Sequence, residues 1–526
     1  MGDAQSPVSR RVAKNSSSMV AANLATLLIS FIAFPVIIRY IGLSLYGVWV
    51  ILWGLVSMLT ILDLGVGGTF VTQLSMALAR RDLTEIRQIL TLSILFYLAL
   101  AVLFSPLFFV LTPYLPIWLH IPAVQWRMAF PLVWWLYAYV FLSQAFGSLG
   151  ALAFASQRIV LVSGLGIAGQ LLNSGLLIAL LLFHVGLASF VWALYVSWLL
   201  PTVVYFAISI QTLHAWPFSK PWPLPGELLR RLASFGGWMQ INRLSNQITN
   251  EIDRFLIGIY VNTAAAGVFQ IAYRVTRIAK QLPNNLTMAL LPVISHWEAT
   301  DARARIVAGY RDTSRYVAAA TFFLGVFFWS GERLVFHLWL KHHYPGQFIA
   351  LGLLTITIVI NNLTGAGTTI LRGIGKPRLE SYYAIVNAVA KLVLSFSLAS
   401  SLKLEGILLG TAVGTILGSF YFLYLFFRQI HLSWREGLWS WIAAPSAAAV
   451  ISGVVLWGLT TVVPLPPGRL TSLILLMACG VVYSLLFFFT LRILGFYQPE
   501  DGSRMRRILP ERVFRLAQKM QILPRF

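Results

Sequence analysis

The stretch 238–256 joins an apolar composition to a row of charged and amide side chains. The row comprises Asn242, Arg243, Asn246, Gln247, Asn250, Glu251, Asp253 and Arg254. On a helix at about 100° per residue these side chains share one half of the circumference, opposite an apolar half suited to lipid. Ionisable groups at bilayer depth cost several kcal/mol unless they face a cavity or each other. The pattern therefore predicts a route for a substrate or an ion.

The next hydrophobic segment repeats the pattern with cations alone. Its polar side chains are Arg274, Arg277, Lys280, Gln281, Asn284 and Asn285. Over the two segments the cations outnumber the acids, because only Glu251 and Asp253 are negative. We therefore expect a surface that binds an anion. The predicted substrate-binding residues are Arg243, Asn246, Asn250, Arg274, Arg277, Lys280 and, farther along the chain, Lys391.

A second interpretation of the same charges is structural. Arg243 and Arg254 could neutralise Glu251 and Asp253 within a packed bundle, without contacting any substrate. A third interpretation concerns the acidic residues alone. Asp63, Glu251 and Asp253 are candidates for ion coupling or for tuning the charge of the binding surface.

The composition is that of a polytopic membrane protein. Of 526 residues 58% are hydrophobic and 11% charged, with a mean hydropathy of +0.78, whereas soluble domains carry about 25% charged residues. Hydrophobic stretches long enough to span a bilayer recur along the whole chain. We predict fourteen, at 17–38, 46–70, 88–112, 128–152, 159–183, 188–210, 233–258, 266–291, 313–333, 347–370, 379–400, 407–427, 440–462 and 470–493.

The positive charge is asymmetric across these segments. The chain has 39 Lys and Arg against 17 Asp and Glu, and most of the cations fall in loops on one side. The positive-inside rule makes that side, with both termini, cytoplasmic. This bias explains the net charge without a nucleic-acid partner. It predicts contact with anionic inner-leaflet lipids, above all through the basic tail 495–526.

Enzyme and metal signatures are missing from the sequence. Cys479 is the single cysteine, and neither a zinc-protease motif nor a nucleotide-binding P-loop occurs. The sequence therefore predicts a protein with no catalytic residues, no metal site and no cofactor.

The two halves of the chain resemble each other. Aligning them pairs Gly47 with Gly267, Gly147 with Gly367, Arg158 with Arg378 and Gly186 with Gly406. Six helices per half predict parallel repeats. The predicted regions are a cytoplasmic N-terminus (1–16), an N-lobe (17–210), a cytoplasmic linker (211–232), a C-lobe (233–427), two added helices (428–494) and the tail (495–526).

Several motifs together resemble a known family. RYIGLSLYGVW, LDLGVGG, EIDRFLIGIY, AGVFQIAYR and GIGKP, in this order, are similar to Wzx-type O-antigen flippases, polysaccharide transporters of the MATE-like superfamily. The resemblance implies an all-α protein with two six-helix lobes around a central cavity, plus two C-terminal helices. It also implies alternating access in the bacterial inner membrane, where the substrate is an undecaprenyl-pyrophosphate-linked oligosaccharide for lipopolysaccharide. Polysaccharide assembly proteins are the implied partners.

Two other functions stay open at this stage. A MATE-type multidrug exporter would share the fold, although a cationic drug requires an anionic cavity. A membrane glycosyltransferase or polymerase would handle similar substrates, but its catalysis generally requires a larger external loop. The cation excess favours the flippase.

Overall fold

The computed structural model is helical throughout the part of the chain that it describes. The described residues are 7–60, 66–219, 237–288, 294, 297–298, 303–374, 376, 378–498 and 501. No strand occurs among them. Asp63, most of the predicted linker and the tail beyond residue 501 lie outside the described residues.

The helices follow one another with short connections. In chain order they are α1 (Pro7–Ile41), α2 (Leu43–Met58), α3 (Val66–Ala79), α4 (Leu83–Leu111), α5 (Ala123–Ala155), α6 (Ile159–Leu182), α7 (Ala188–Leu213), α8 (Gly237–Tyr260), α9 (Thr263–Met288), α10 (Arg303–Ser330), α11 (Glu332–Leu340), α12 (Gln347–Leu363), α13 (Gly365–Gly373), α14 (Arg378–Ile430), α15 (Ser440–Val462) and α16 (Arg469–Ile493). Shorter helical turns cover Thr112–Tyr114 and Leu115–Trp118, and a π-helical turn covers Arg435–Trp439.

The predicted multi-pass helical architecture is confirmed. In the described part of the chain nine helices are long and apolar enough to cross a membrane, or ten if the bent pair α10 and α11 forms one span. The predicted segments exceed this number for physical reasons. Helix α2 is short, α8 and α9 carry many polar side chains, and α14 combines two predicted segments. The number fourteen stays a prediction.

The chain divides into two compact units. Unit 1 comprises Met1–Gln270 with Ala399–Leu404, and unit 2 comprises Ile271–Leu398 with Glu405–Phe526. Helix α9 therefore begins in unit 1 and continues in unit 2. The predicted lobe boundaries stay a prediction.

Helix α5 is the centre of unit 1. It packs against α2, α3, α4 and α7, while α6 packs between α1 and α7. An apolar cluster at one end of α5 joins Leu149 and Leu152 to Leu74 and Leu90 of the neighbouring helices. Helix α4 begins at a capped turn, because the Asp82 carboxylate accepts a hydrogen bond from the Glu85 amide at 2.9 Å.

Two glycines bring α2 against the start of α9. A Cβ atom built on Gly47 would lie 1.7 Å from the carbonyl oxygen of Thr263 and 3.3 Å from the amide nitrogen of Gly267. A Cβ on Gly267 would in turn lie 2.9 Å from the carbonyl oxygen of Leu43. The sequence comparison paired Gly47 with Gly267, and in the structure these two residues are in contact. Only glycine permits this approach of the two backbones.

Helix α10 is the corresponding centre of unit 2. It packs against α12 and α15, and its Tyr310 lies in a cluster with Phe422, Phe426 and Trp441. The Tyr310 hydroxyl donates to the carbonyl oxygen of Gly437 at 3.1 Å, and the Trp441 indole donates to the same oxygen at 2.7 Å. The π-helical turn is thereby fixed to α10.

Helix α14 is an antiparallel hairpin rather than one straight helix. Lys403 departs from helical geometry with φ of 49°, and the residues on either side fold back on each other. Cβ atoms on Gly410, Gly414 and Gly418 would meet Ser395, Lys391 and Asn387 respectively, at 2.3–2.7 Å. The spacing of four residues between these glycines lets the two arms touch.

The segment after α16 returns to α10 through a buried ion pair. Arg315 donates to Asp501 at 2.6 Å and to the carbonyl oxygen of Phe496 at 2.9 Å. Tyr316 also donates to the Asp501 carboxylate, and the other oxygen of Asp501 accepts from the Gln498 amide at 2.8 Å. Asp501 is fully buried and Arg315 is 5% exposed. These bonds fix the beginning of the predicted tail to unit 2.

The glycine contact between α2 and α9 gives a stability prediction. Gly47→Ala should lower the free energy of unfolding by at least about 1–3 kcal/mol, because the new methyl group overlaps a backbone oxygen. Gly166→Ala on α6 is the matched control, since nothing lies within 4 Å of its added Cβ, and it should be neutral or slightly stabilising. Thermal unfolding of both purified variants measures the difference. Equal midpoints would show that α2 and α9 are not in contact.

Candidate functional site

The polar face of α8 divides into an exposed part and a packed part. Asn246 and Asn250 are exposed, whereas Asp253 and Arg254 are buried. Arg243 lies on α8, but its side chain is outside the described residues, as is Asp63. The predicted substrate-binding role of Arg243 therefore stays a prediction.

Arg254 is the centre of a buried polar network in unit 1. Its Nη1 donates to the Glu251 carboxylate, and its Nε donates to the Gln270 side-chain oxygen at 3.1 Å. A Cβ on Gly54 of α2 would lie 3.3 Å from the Cβ of Arg254. A side chain on residue 54 would therefore crowd Arg254 between α2 and α8.

The packed part of the polar face lies against α2 over several turns. Gln247 donates to the carbonyl oxygen of Ser57 at 2.9 Å, and a Cβ on Gly258 would lie 3.2 Å from the side chain of Ile51. On the face that the sequence assigns to lipid, Ile252 is only 8% exposed. The structural interpretation of the α8 charges therefore applies to the pair Glu251–Arg254 within α8, and the bond from Arg254 to Gln270 joins α8 to α9.

The basic residues of α9 occupy unit 2 from Ile271 onward. Arg277 is exposed, while Arg274 and Lys280 are half-buried. They recur every third residue, and the helix from 271 to 288 contains no acid. This spacing keeps Arg274, Arg277 and Lys280 near one face.

Lys391 on α14 completes a cluster of cations within unit 2. Its charge and that of Arg277 both act on Lys280, so each lies within electrostatic range of the Lys280 ammonium. Lys391 is 2% exposed, because the arm that carries Gly414 lies directly against its backbone. We call Arg277, Lys280 and Lys391 the basic cluster.

Amide and hydroxyl groups lie close to the basic cluster. The Asn362 side chain donates to the carbonyl oxygen of Lys280 at 3.4 Å and to Thr321 at 3.1 Å, and Asn361 donates to the Tyr383 hydroxyl at 2.8 Å. The sequence interpretation missed these residues. The signal was present, because adjacent asparagines interrupt an otherwise apolar segment.

The carboxylate on the Lys391 arm is already engaged. Glu380 accepts from Arg372 Nε at 2.7 Å and from Arg372 Nη2, a two-pronged pair at the start of α14. The positive charge of the basic cluster thus exceeds what this acid could neutralise. Chemically, a guanidinium and two ammonium groups beside neutral amides can bind a phosphate or pyrophosphate.

The buried network around Arg254 generates a second stability prediction. Arg254→Ala should destabilise the protein by about 3–5 kcal/mol, because Glu251 loses the cation that compensates its charge. Glu251→Gln in the same chain should restore part of the loss. Thermal unfolding of the single and double variants gives the coupling energy of the pair.

The pair Arg80–Glu85, with 3.5 Å between its charged atoms and an exposed arginine, provides the control. Arg80→Ala should cost less than about 1 kcal/mol. Similar costs for Arg254→Ala and Arg80→Ala would contradict a structural role for Arg254.

Comparison with known proteins finds a matching family model and a curated relative. Residues 12–298 match the family model described as polysaccharide biosynthesis protein. A relative from Haloferax volcanii, described as the probable low-salt glycan biosynthesis flippase Agl15, is 20% identical over 289 residues. The match covers 53% of this chain and 57% of that relative, so the chain spans little more than half the length of the relative.

Solved structures show the fold. The lipid II flippase MurJ in an inward closed conformation matches with a TM-score of 0.60 at 12% identity, over 90% of this chain and 99% of MurJ. A single-residue mutant of the Vibrio cholerae MATE transporter VcmN matches with a TM-score of 0.56 at 14% identity, over 80% of this chain and 97% of VcmN.

These matches confirm the MATE-like fold and the family resemblance that the motifs indicate. The family model covers more than half of the chain, including the polar helices α8 and α9. The chain belongs to the polysaccharide biosynthesis protein family.

Proposed function

We propose that this protein is a flippase that moves an undecaprenyl-pyrophosphate-linked oligosaccharide from the inner to the outer leaflet by alternating access. The observation that carries the proposal is the basic cluster, which places three cations on membrane helices of a polysaccharide biosynthesis protein. Lys391 is 2% exposed, and cations buried in membrane helices commonly mark a substrate route. A pyrophosphate is a substrate group that would bind such cations.

The proposal gives the polar residues separate roles. Arg277 binds the pyrophosphate through two parallel hydrogen bonds, and Lys280 and Lys391 act as point charges beside it. Arg243 and Arg274 are proposed to add to the positive potential. The exposed amides Asn246 and Asn250 are proposed to bind sugar hydroxyls. Glu251, already paired with Arg254, then serves the structure rather than ion coupling.

The rival functions fit the described charges less well. A cationic drug would be repelled by the basic cluster, and the likeness to MATE exporters is one of fold. A glycosyltransferase or polymerase requires catalytic groups over the sugar, whereas the relatives named for a glycan or lipid substrate are flippases. We therefore propose a transporter rather than an enzyme.

The cellular location and the partners follow from the same proposal. The chain would lie in the bacterial inner membrane with both termini cytoplasmic, as the positive-inside rule favours. Its partners would be the lipid-linked glycan, anionic inner-leaflet lipids and the proteins that assemble the polysaccharide. No nucleic acid is involved.

Transport by charge variants tests the basic cluster. Arg277→Ala and Lys391→Ala should each reduce flipping by about 10- to 100-fold, because each removes a hydrogen bond to a charged group worth about 1.5–3 kcal/mol. Arg277→Lys should retain part of the activity, since lysine keeps the positive charge but cannot form two parallel hydrogen bonds to the phosphate. Liposomes that carry the protein and the lipid-linked oligosaccharide measure the fraction exposed on the far leaflet.

A matched control is Arg158→Ala, a cation of unit 1 whose side chain contacts Gln211 at 3.4 Å. It should flip at the wild-type rate. Full transport by the double variant of Arg277 and Lys391 would refute the anion site, and elongation of the glycan by purified protein would refute the transporter.

The membrane potential provides a separate test of what drives transport. A pyrophosphate carries about two negative charges, and the potential favours the export of each by about 2.3 kcal/mol per 100 mV. After release, the same field draws the empty basic cluster toward the cytoplasm. A potential imposed with potassium and valinomycin, without another gradient, should therefore accelerate flipping when the inside is negative.

The sign of the potential is the control in this experiment. Reversing the potential should slow flipping by the same factor by which the inside-negative potential accelerated it. Insensitivity to the sign, together with dependence on a sodium or proton gradient, would instead establish antiport, with Asp63, Glu251 or Asp253 as the coupling group.

A further inference from the structure

The turn between α10 and α11 in unit 2 holds a buried carboxylate. Glu332 begins α11 directly after α10 ends at Ser330, and the two helices are bent by 71° relative to each other. The Glu332 side chain accepts a hydrogen bond from Gln347 at the start of α12, and both residues are buried. The bond joins α11 to α12 without any residue of the basic cluster.

The orientation of the Gln347 amide follows from its neighbours. Its oxygen accepts from the Tyr344 backbone amide at 3.0 Å, and its nitrogen donates to the Glu332 carboxylate. The reverse orientation would set oxygen against the carboxylate and nitrogen against an N–H group. The same nitrogen also contacts Nδ1 of His343. Nδ1 therefore accepts, and His343 is a neutral imidazole with its proton on Nε2.

His343 connects this buried amide to solvent. Its side chain is 56% exposed, that of Glu332 is 6% exposed, and 3.7 Å separates Nδ1 from the carboxylate oxygen. Gln347 donates to both groups and thereby joins them. We call Glu332, Gln347 and His343 the polar bridge. A proton from solvent can reach His343 while the carboxylate stays buried.

The surroundings of His343 favour its neutral form. Burial, together with the positive charges of Arg333, His342 and His337, holds the pKa of His343 below its usual value of about 6.5. Helix α12 contributes no titratable residue, and the connection between α15 and α16 contributes none before Arg469. The acid that faces His343 is the Glu332 of the bridge itself.

Protonation of His343 is incompatible with the polar bridge. An imidazolium carries N–H groups at both ring nitrogens, so Nδ1 can no longer accept from Gln347. The new N–H group instead competes with Gln347 for the Glu332 carboxylate. Because folding lowers the pKa of His343, the bridge contributes stability above about pH 6.5 and loses it as the pH falls through the lowered pKa.

We propose that His343 binds a proton at acid pH and thereby opens the polar bridge, which frees the start of α12 from α11. Helix α11 is held independently, because Arg333 donates to the carbonyl oxygen of Thr461 at 3.1 Å and His337 contacts that of Pro466 at 3.0 Å. Acidification should therefore release α12 while α11 stays with the connection between α15 and α16.

The orientation of the chain decides which compartment supplies the proton. The start of α10 carries several arginines, and the positive-inside rule favours a cytoplasmic position for it. In the proposed orientation the polar bridge, at the far end of α10, faces the exterior. The bridge itself depends on neither this orientation nor the proposed transport activity.

Amide exchange at Tyr344 reports the state of the polar bridge, because its N–H donates to the Gln347 side chain. Hydrogen–deuterium exchange of the full-length protein in nanodiscs, resolved to single residues and corrected for the intrinsic effect of pH, measures it. Exchange at Tyr344 should be about 2- to 10-fold faster at about pH 5 than at about pH 7.5, as expected for the loss of one hydrogen bond. Equal corrected rates would overturn the proposal.

Two variants identify the titrating group. In His343→Asn the side-chain oxygen takes the place of Nδ1 and accepts from Gln347 without titrating, so Tyr344 should exchange slowly at both pH values. Glu332→Gln keeps an acceptor for Gln347 and removes the other titratable group, so the pH response should persist. A response that is retained in His343→Asn but lost in Glu332→Gln would assign the proton to Glu332 and overturn the proposal.

Two controls separate the bridge from general effects of acid. His184→Asn changes an exposed histidine of unit 1 whose φ of 59° suits asparagine, and it should leave both rates at Tyr344 unchanged. The buried residues of α10 should exchange at the same corrected rate at both pH values. Acceleration there equal to that at Tyr344 would show general unfolding in acid and refute a local bridge.

Discussion

The constraint behind this structure is that a charge at membrane depth must meet another charge, a hydrogen-bond partner, water or a ligand. The two units satisfy it differently. In unit 1, Arg254 meets Glu251 and Gln270 and becomes part of the packing between α2 and α8. In unit 2, Arg277, Lys280 and Lys391 lie near one another, and like charges in proximity favour an anionic ligand. A cation with an acid one helical turn away, such as Arg254, therefore contributes to helix packing. Cations without an acid at that spacing, such as those of the basic cluster, instead favour an anionic ligand.

Glycine is what makes both arrangements possible. A side chain at Gly54 would press on Arg254, and one at Gly414 would meet the backbone of Lys391. In each case the missing side chain admits a long cation between two helices and removes it from lipid. Contacts of this closeness also strengthen van der Waals packing, which is the main attraction between helices where no hydrophobic effect acts. The glycines thus fix both the helix pairs and the positions of the cations that those pairs hold.

The sequence predicts much of the fold and less of the site, for a physical reason. Hydropathy and charge reveal membrane helices, and the polar faces of α8 and α9 follow from helical periodicity. Periodicity does not reveal the partner of a face, so it could not separate Arg254, which is paired, from Arg277, which is exposed. The burial of Lys391 depends on the register of the α14 hairpin. The pairing of Arg315 with Asp501 joins residues far apart in sequence, and no local pattern predicts it.

The buried pair Arg315–Asp501 also explains the path of the chain directly after α16. Asp501 accepts from Arg315, Tyr316 and the Gln498 amide, so both of its oxygens are satisfied without water. Removal of either member of such a pair leaves a buried charge, which is far costlier than the pair itself. The chain after α16 therefore has one strongly preferred path back to α10. That path brings Gln498 beside Glu436 and Trp441, and a cavity of mixed charge forms where the segment closes.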